Sequence, residues 1–141
     1  MSDDTLGLCR NQVLGFFRDL DDNDYASLVR RMTPDGVWHR QGKVLEGREA
    51  VLSALATRSP TMRIHHLICN LFADRADAAH CAMRAYMLVV RHDAGRALAG
   101  PAPLTGIENI RTTHIELARA DGGWLIAQMR NDEPSFAAVP G

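Results

Sequence analysis

The sequence predicts an α+β fold in which three N-terminal helices cover one face of a long antiparallel sheet, with a pocket where the strands curve. Three observations lead there. Apolar residues recur at helical spacing in the first part of the chain, they alternate at strand spacing over most of the rest, and short turns join the later strands. Helices gathered at one end and strands at the other favour a layered α+β arrangement over a parallel α/β one.

The elements follow in order. Leu6, Cys9, Val13, Phe16, Phe17 and Leu20 repeat at helical spacing, while Arg10, Arg18, Asp19 and Asp22 fall on the other side, giving a long amphipathic first helix. Asp21 lies one turn after Phe17 and two after Val13, at the margin of the apolar face, so its carboxylate is a candidate to look inward. After "DDND", Tyr25, Leu28, Val29 and Met32 predict a second short helix ending before Pro34. "DGVWHR" reads as a short strand, and "EGREAVLSALATR" as a third helix closed by Pro60. Four long strand patterns cover 62–73, 78–92, 107–119 and 124–131. "DRAD" and "ADGG" are short enough for antiparallel hairpins, the second carrying the Asp-Gly pair such turns favour. Residues 94–106, "AGRALAGPAPLTG", read as a long loop and a candidate lid.

Length and composition narrow the function classes. A chain of 141 residues fits one domain, taken as 1–141, which buries about two thirds of its unfolded surface without disulfides or metals. Lys and Arg total 16 against 17 Asp and Glu with no basic run, so nucleic acid is not an expected partner. Cys9, Cys69 and Cys81 are odd in number and form no CxxC pair, which suits buried thiols in a reducing compartment. The start, "MSDDTLGLCR", lacks the charged and apolar regions of a signal peptide, and "AYMLVV" is far shorter than the roughly 20 residues of a membrane span. A cytoplasmic protein with no membrane partner is expected.

The stretch "RIHHLICN" carries the chemistry. Strand alternation sends His65 and His66 to opposite faces; Ile64, His66, Ile68 and Asn70 share one, and His65, Leu67 and Cys69 the other. A mixed face suits a ligand pocket. No histidine and carboxylate cluster has the spacing of a metal site, so no metal is expected.

The order of these elements, with "FFRDLDDNDYASLVRRMTPDGVWHRQGKVLEGREAVLSAL" and then "HHLICN", resembles the nuclear transport factor 2-like superfamily, especially its SnoaL-like branch, over nearly the whole chain. The resemblance implies a cone of curved sheet closed by helices, a homodimer formed through the sheet, and a function that fold alone leaves open. In relatives of the scytalone dehydratase and lindane dehydrochlorinase types, an aspartate after the first helix and a histidine on the first long strand form a dyad. Asp21 and His66 stand at those positions. Such a dyad abstracts a proton with no metal or organic cofactor. His39 matches the strand position of the general base in the ketosteroid isomerase branch, but Phe16 stands where that branch has its oxyanion-binding tyrosine. The second histidine of the dehydratase type is likewise missing near Tyr86 and Met87.

The resulting expectation is a cofactor-free lyase or isomerase acting on a small, largely apolar molecule through Asp21 and His66. His39, Asn70, Tyr86 and Arg130 are the candidate binding residues, with Tyr86 and Asn70 as donors to a carbonyl or enolate oxygen and Arg130 at the pocket mouth for a ligand carboxylate. The alternatives are a non-catalytic ligand-binding or accessory protein, or an assembly protein like the small subunits of ring-hydroxylating dioxygenases. Asp21 read plainly is a turn carboxylate capping the next helix, and His66 a satisfied histidine within the sheet.

Overall fold

The computed structural model describes residues 4–120 and 122–139. Asp121 of the last hairpin turn, and Met1 to Asp3 of the segment weighed as a leader, lie outside the described residues.

Helix α1 (Thr5–Asp21) starts where the Asp4 carboxylate accepts from the Gly7 N–H at 3.1 Å, an N-cap that satisfies one otherwise orphaned donor. Its apolar stripe, Cys9, Val13, Phe16, Phe17 and Leu20, is buried. Asp24 caps α2 (Tyr25–Arg30) in the same way through Ser27. The capping task weighed for Asp21 therefore belongs to Asp24, and the Asp21 side chain is free for another role. Asp19, expected on the solvent side, is buried instead, because Arg31 reaches back to it with Nε 2.7 Å from Oδ2. A buried carboxylate needs such a cation.

The chain turns into a strand sooner than Pro34 suggested. β1 (Met32–Arg40) contains that proline, and β2 (Lys43–Glu46) pairs with it as an edge hairpin. Both elements exceed what the sequence patterns predicted. Gly47, at φ 87° and ψ 161°, then lets the chain enter α3 (Arg48–Leu55), while its N–H donates to the Gly36 carbonyl at 2.8 Å.

The long strands β3 (Met62–Ala76), β4 (His80–Asp93), β5 (Asn109–Ala120) and β6 (Gly123–Asn131) run antiparallel, and β6 pairs in parallel with β1. The sheet order is β2-β1-β6-β5-β4-β3, and a short β7 (Phe136–Ala137) joins the beginning of β5. The sheet is mixed and does not close. The helices cover its concave face, with α1 crossing β3 and β6, and their apolar stripe meets the inward residues of the strands. Phe16 centres this core, edge-on to Phe17 and Trp38 at 5.3 and 5.1 Å between ring centroids.

One irregularity resets the alternation of β3. Asn70 has φ 56°, and the pairing with β4 shifts between Cys69 and Phe72. Before this bulge Ile64 and His66 face inward; after it Leu71 and Ala73 pack against the core and Phe72 is exposed. No helix of the described residues is long and apolar enough to cross a membrane.

Candidate functional site

Asp21 is the last residue of α1, where the helix dipole disfavours a negative charge. Two hydrogen bonds hold it there. The backbone N–H of His66 donates to Oδ2 at 2.9 Å, and His66 Nδ1 lies 2.5 Å from Oδ1. Both side chains are largely withdrawn from solvent, at 15% and 10% exposure. A carboxylate only accepts, so Nδ1 carries the proton and Nε2 is the free nitrogen of the neutral ring. No further contact of the ring nitrogens occurs within the described residues. Phe17 packs against the imidazole at 5.6 Å between centroids.

The His66 ring borders a cavity of about 450 Å³ between the helices and the concave sheet. Phe17, Leu20, Trp38, Ile64 and Met87 make its apolar walls. Arg40, Arg58, Arg91 and Arg111 bring positive charge to its polar lining. Asn131 also borders it, and the buried Oδ1 of this residue has no hydrogen-bond partner among the described residues. Across the β5–β6 pair, Thr113 Oγ1 is equally buried and unpartnered. Burial, with Arg58 and Arg91 nearby, pulls the Arg40 guanidinium below its ordinary value.

The other candidate residues lie away from this cavity. His39 points to the outer side of the sheet, where Gln128 Nε2 donates to its Nε2 at 3.3 Å; Trp38 and Arg40 hold the inward positions of β1. Asn70 sits at the bulge and borders, with Tyr86, a shallow depression on the convex face. Tyr86 is exposed because Ala85, Met87 and Val89 take the inward positions of β4. Arg130 is exposed and bonds Asp132 Oδ1 at 3.0 Å. The loop of residues 94–106 is no lid over the cavity mouth. Arg63, on the outer face, donates to the carbonyls of Gly100 and Leu98 at 3.0 and 3.2 Å, and Pro101 to Leu104 lie near His65 and Val90.

The residues that sequence reasoning missed, Arg40, Arg58, Arg91 and Arg111, had a legible signal in part. Arg40 alternates with Trp38, and Arg91 with Met87 and Val89, so each shares a face with residues that are buried. Arg58, past the end of α3, had none. Among the described residues no three His, Cys, Asp or Glu side chains converge to hold a metal ion.

A SnoaL-like domain matches residues 8–130, which run from the first turns of α1 into β6 and include both members of the Asp21–His66 pair. The chain belongs to the SnoaL-like domain family. No curated protein matches this SnoaL-like chain. Solved structures similar to it include Rv3472 of Mycobacterium tuberculosis, described as of unknown function, with a TM-score of 0.74 and 22% identity over 94% of this chain and 81% of that one. ActVI-ORFA of Streptomyces coelicolor has a TM-score of 0.73 and 19% identity over 89% and 95% of the two chains. An NTF2-like protein with a cystatin-like fold from Novosphingobium aromaticivorans has a TM-score of 0.72 and 15% identity over 91% and 80%. At these identities the likeness is one of fold. The family and its open, helix-backed sheet make this SnoaL-like chain a small-molecule-binding fold.

Proposed function

We propose that this protein is a cofactor-free lyase or isomerase in which His66 removes a proton from a small, largely apolar molecule held in the cavity, with Asp21 as the residue that orients the ring. The observation that carries this reading is the pairing of His66 Nδ1 with Asp21, which leaves Nε2 as the basic nitrogen of a ring that borders the cavity. The substrate C–H proton moves to Nε2, and its electron pair either forms an enolate or expels a β-leaving group. Asp21 stabilises the imidazolium that results.

The test is solvent deuterium uptake by 2-tetralone and a set of related α-C–H ketones, followed by mass spectrometry. Exchange faster than buffer by roughly 10²–10⁴-fold, lost in His66→Ala, is expected. Exchange no faster than buffer across the set, or undiminished in His66→Ala, would refute the reading. A non-catalytic ligand-binding or accessory protein is the second reading, favoured by the absence of any other His, Asp or Glu among the described residues lining the cavity. It predicts ligand affinity without turnover.

The outer sheet face supports a homodimer, in keeping with the resemblance. Phe72, Tyr86 and Phe136 are exposed on or beside it. Sedimentation velocity should show a dimer that Tyr86→Glu weakens; a monomeric wild-type chain would overturn that part. Three cysteines, none of them in a disulfide, suit the reducing cytoplasm.

A further inference from the structure

The polar end of the cavity holds more positive charge than the chain neutralises. Of its four arginines, Arg40, Arg58, Arg91 and Arg111, one has a carboxylate partner: Arg91 Nη2 donates to Glu108 Oε2 at 2.9 Å. Arg58 is held by neutral acceptors, the Leu20 carbonyl at 2.8 Å and the Tyr25 hydroxyl at 3.0 Å, and Arg111 by the Asn109 amide oxygen at 3.2 Å. Arg40 lies over the Trp38 ring, 5.5 Å from its centroid, and no carboxylate among the described residues pairs with it. Among the described residues no Asp or Glu lines the cavity.

Arg40, Arg58 and Arg111, partly buried and with no carboxylate partner among the described residues, repel one another, and an incoming anion relieves that repulsion. The planar fork of an arginine matches a carboxylate with two parallel hydrogen bonds, and Arg40 has its fork uncommitted. Arg58 and Arg111 are already held in place by neutral groups, so their charge adds to the field without needing to move. Phe17, Trp38 and Met87 offer apolar and ring surface to the rest of a ligand.

We propose that the ligand of this cavity carries a carboxylate, gripped by Arg40 in the field of Arg58 and Arg111, with its apolar body against Phe17, Trp38 and Met87. This deepens the proton-abstraction reading and rests on it only for the placing of a reacting carbon at His66. The carboxylate would then fix which C–H meets Nε2.

The experiment is calorimetric titration of the full chain with 2-naphthoate and its neutral counterpart 2-naphthamide. Wild-type protein should bind the carboxylate roughly 10- to 100-fold more tightly. Arg40→Met should bring the two affinities together, Arg40→Lys should keep part of the preference, and Arg63→Met, on the outer face, should leave it unchanged. Arg40→Lys serves if Arg40→Met does not fold. Equal affinities in the wild type, no binding of 2-naphthoate, or a preference undiminished by either Arg40 substitution would overturn the proposal. The deuterium-uptake assay separates the two readings. A carboxylate preference with no exchange leaves the anion site standing and removes the catalytic reading; exchange with no preference does the reverse.

Discussion

Substituting Asp21 by asparagine alters one atom type and tests the logic of the His66 pair without needing a substrate. The wild-type carboxylate accepts twice, from the His66 backbone N–H at 2.9 Å and from Nδ1 at 2.5 Å. An amide accepts at one end and donates at the other. The backbone N–H can only donate, so the amide oxygen must stay with it and the NH₂ must face Nδ1. Nδ1 is then forced to accept, the ring proton moves to Nε2, and the cavity meets a donor where it had a base. Exchanging two hydrogen bonds to a charged, largely buried group for two neutral ones should cost about 1–3 kcal/mol of stability. Losing the base should slow any proton abstraction by roughly 10²–10⁴-fold, about 3–5 kcal/mol in barrier. Nitrogen NMR on protein labelled with ¹⁵N-histidine, at a pH where the ring is neutral, reads the tautomer directly. Nδ1–H is expected in the wild type and Nε2–H in Asp21→Asn. An Nε2–H ring in the wild type, or the same tautomer in both proteins, would refute the reasoning.

Three further outcomes are expected. Asn70→Gly should leave stability within a few tenths of a kcal/mol and Asn70→Ala should cost about 1–2 kcal/mol in thermal or denaturant unfolding, with ligand affinity unchanged in both, because Asn70 occupies a left-handed backbone position at φ 56° away from the cavity. Gly47→Ala should destabilise by about 1–3 kcal/mol. The cause is the backbone at φ 87°, since an added Cβ would meet nothing nearer than the Pro34 carbonyl at 3.6 Å. Asp93, which accepts from Thr61 Oγ1 and the Gly95 N–H and is also held by Ser59, has its carboxyl lowered from 3.8 to about 2. A lowered carboxyl adds stability that is fully present above its unfolded value and is lost as pH falls through the folded one. Melting temperatures of wild type and Asp93→Asn should therefore differ above pH 4 and converge as pH drops toward 2; a constant gap would count against the assignment.

The candidate site brings together side chains that local chemistry alone would keep apart. A carboxylate at a helix C-terminus is unfavourable, and a histidine inside a sheet needs partners for its nitrogens. Each meets the other's need, which is why an arrangement suited to proton transfer is also a stable join between α1 and β3. The same join holds the ring against Phe17.

The sequence by itself determined the fold class, the amphipathic face of α1 and the separation of His65 from His66, since each depends on a period of 3.6 or 2 that a single segment carries. It placed Asp21 and His66 as residues to watch through the margin of that helical face and a resemblance. The tertiary structure decided what the periods could not. The bulge at Asn70 shifts the inward set of β3 by one residue and removes Asn70 from the face it shared with His66. The parallel pairing of β1 with β6 sends Trp38 and Arg40 inward and His39 toward Gln128. Tyr86 and Arg130 fall outside for a related reason: which face of a strand is covered depends on where the helices lie. Arg31 draws Asp19 into the interior from the C-terminal end of α2, and Arg58 joins the cavity from beyond the end of α3. All of these outcomes rest on contacts between segments far apart in the chain, and a local pattern holds no record of the partner it will meet.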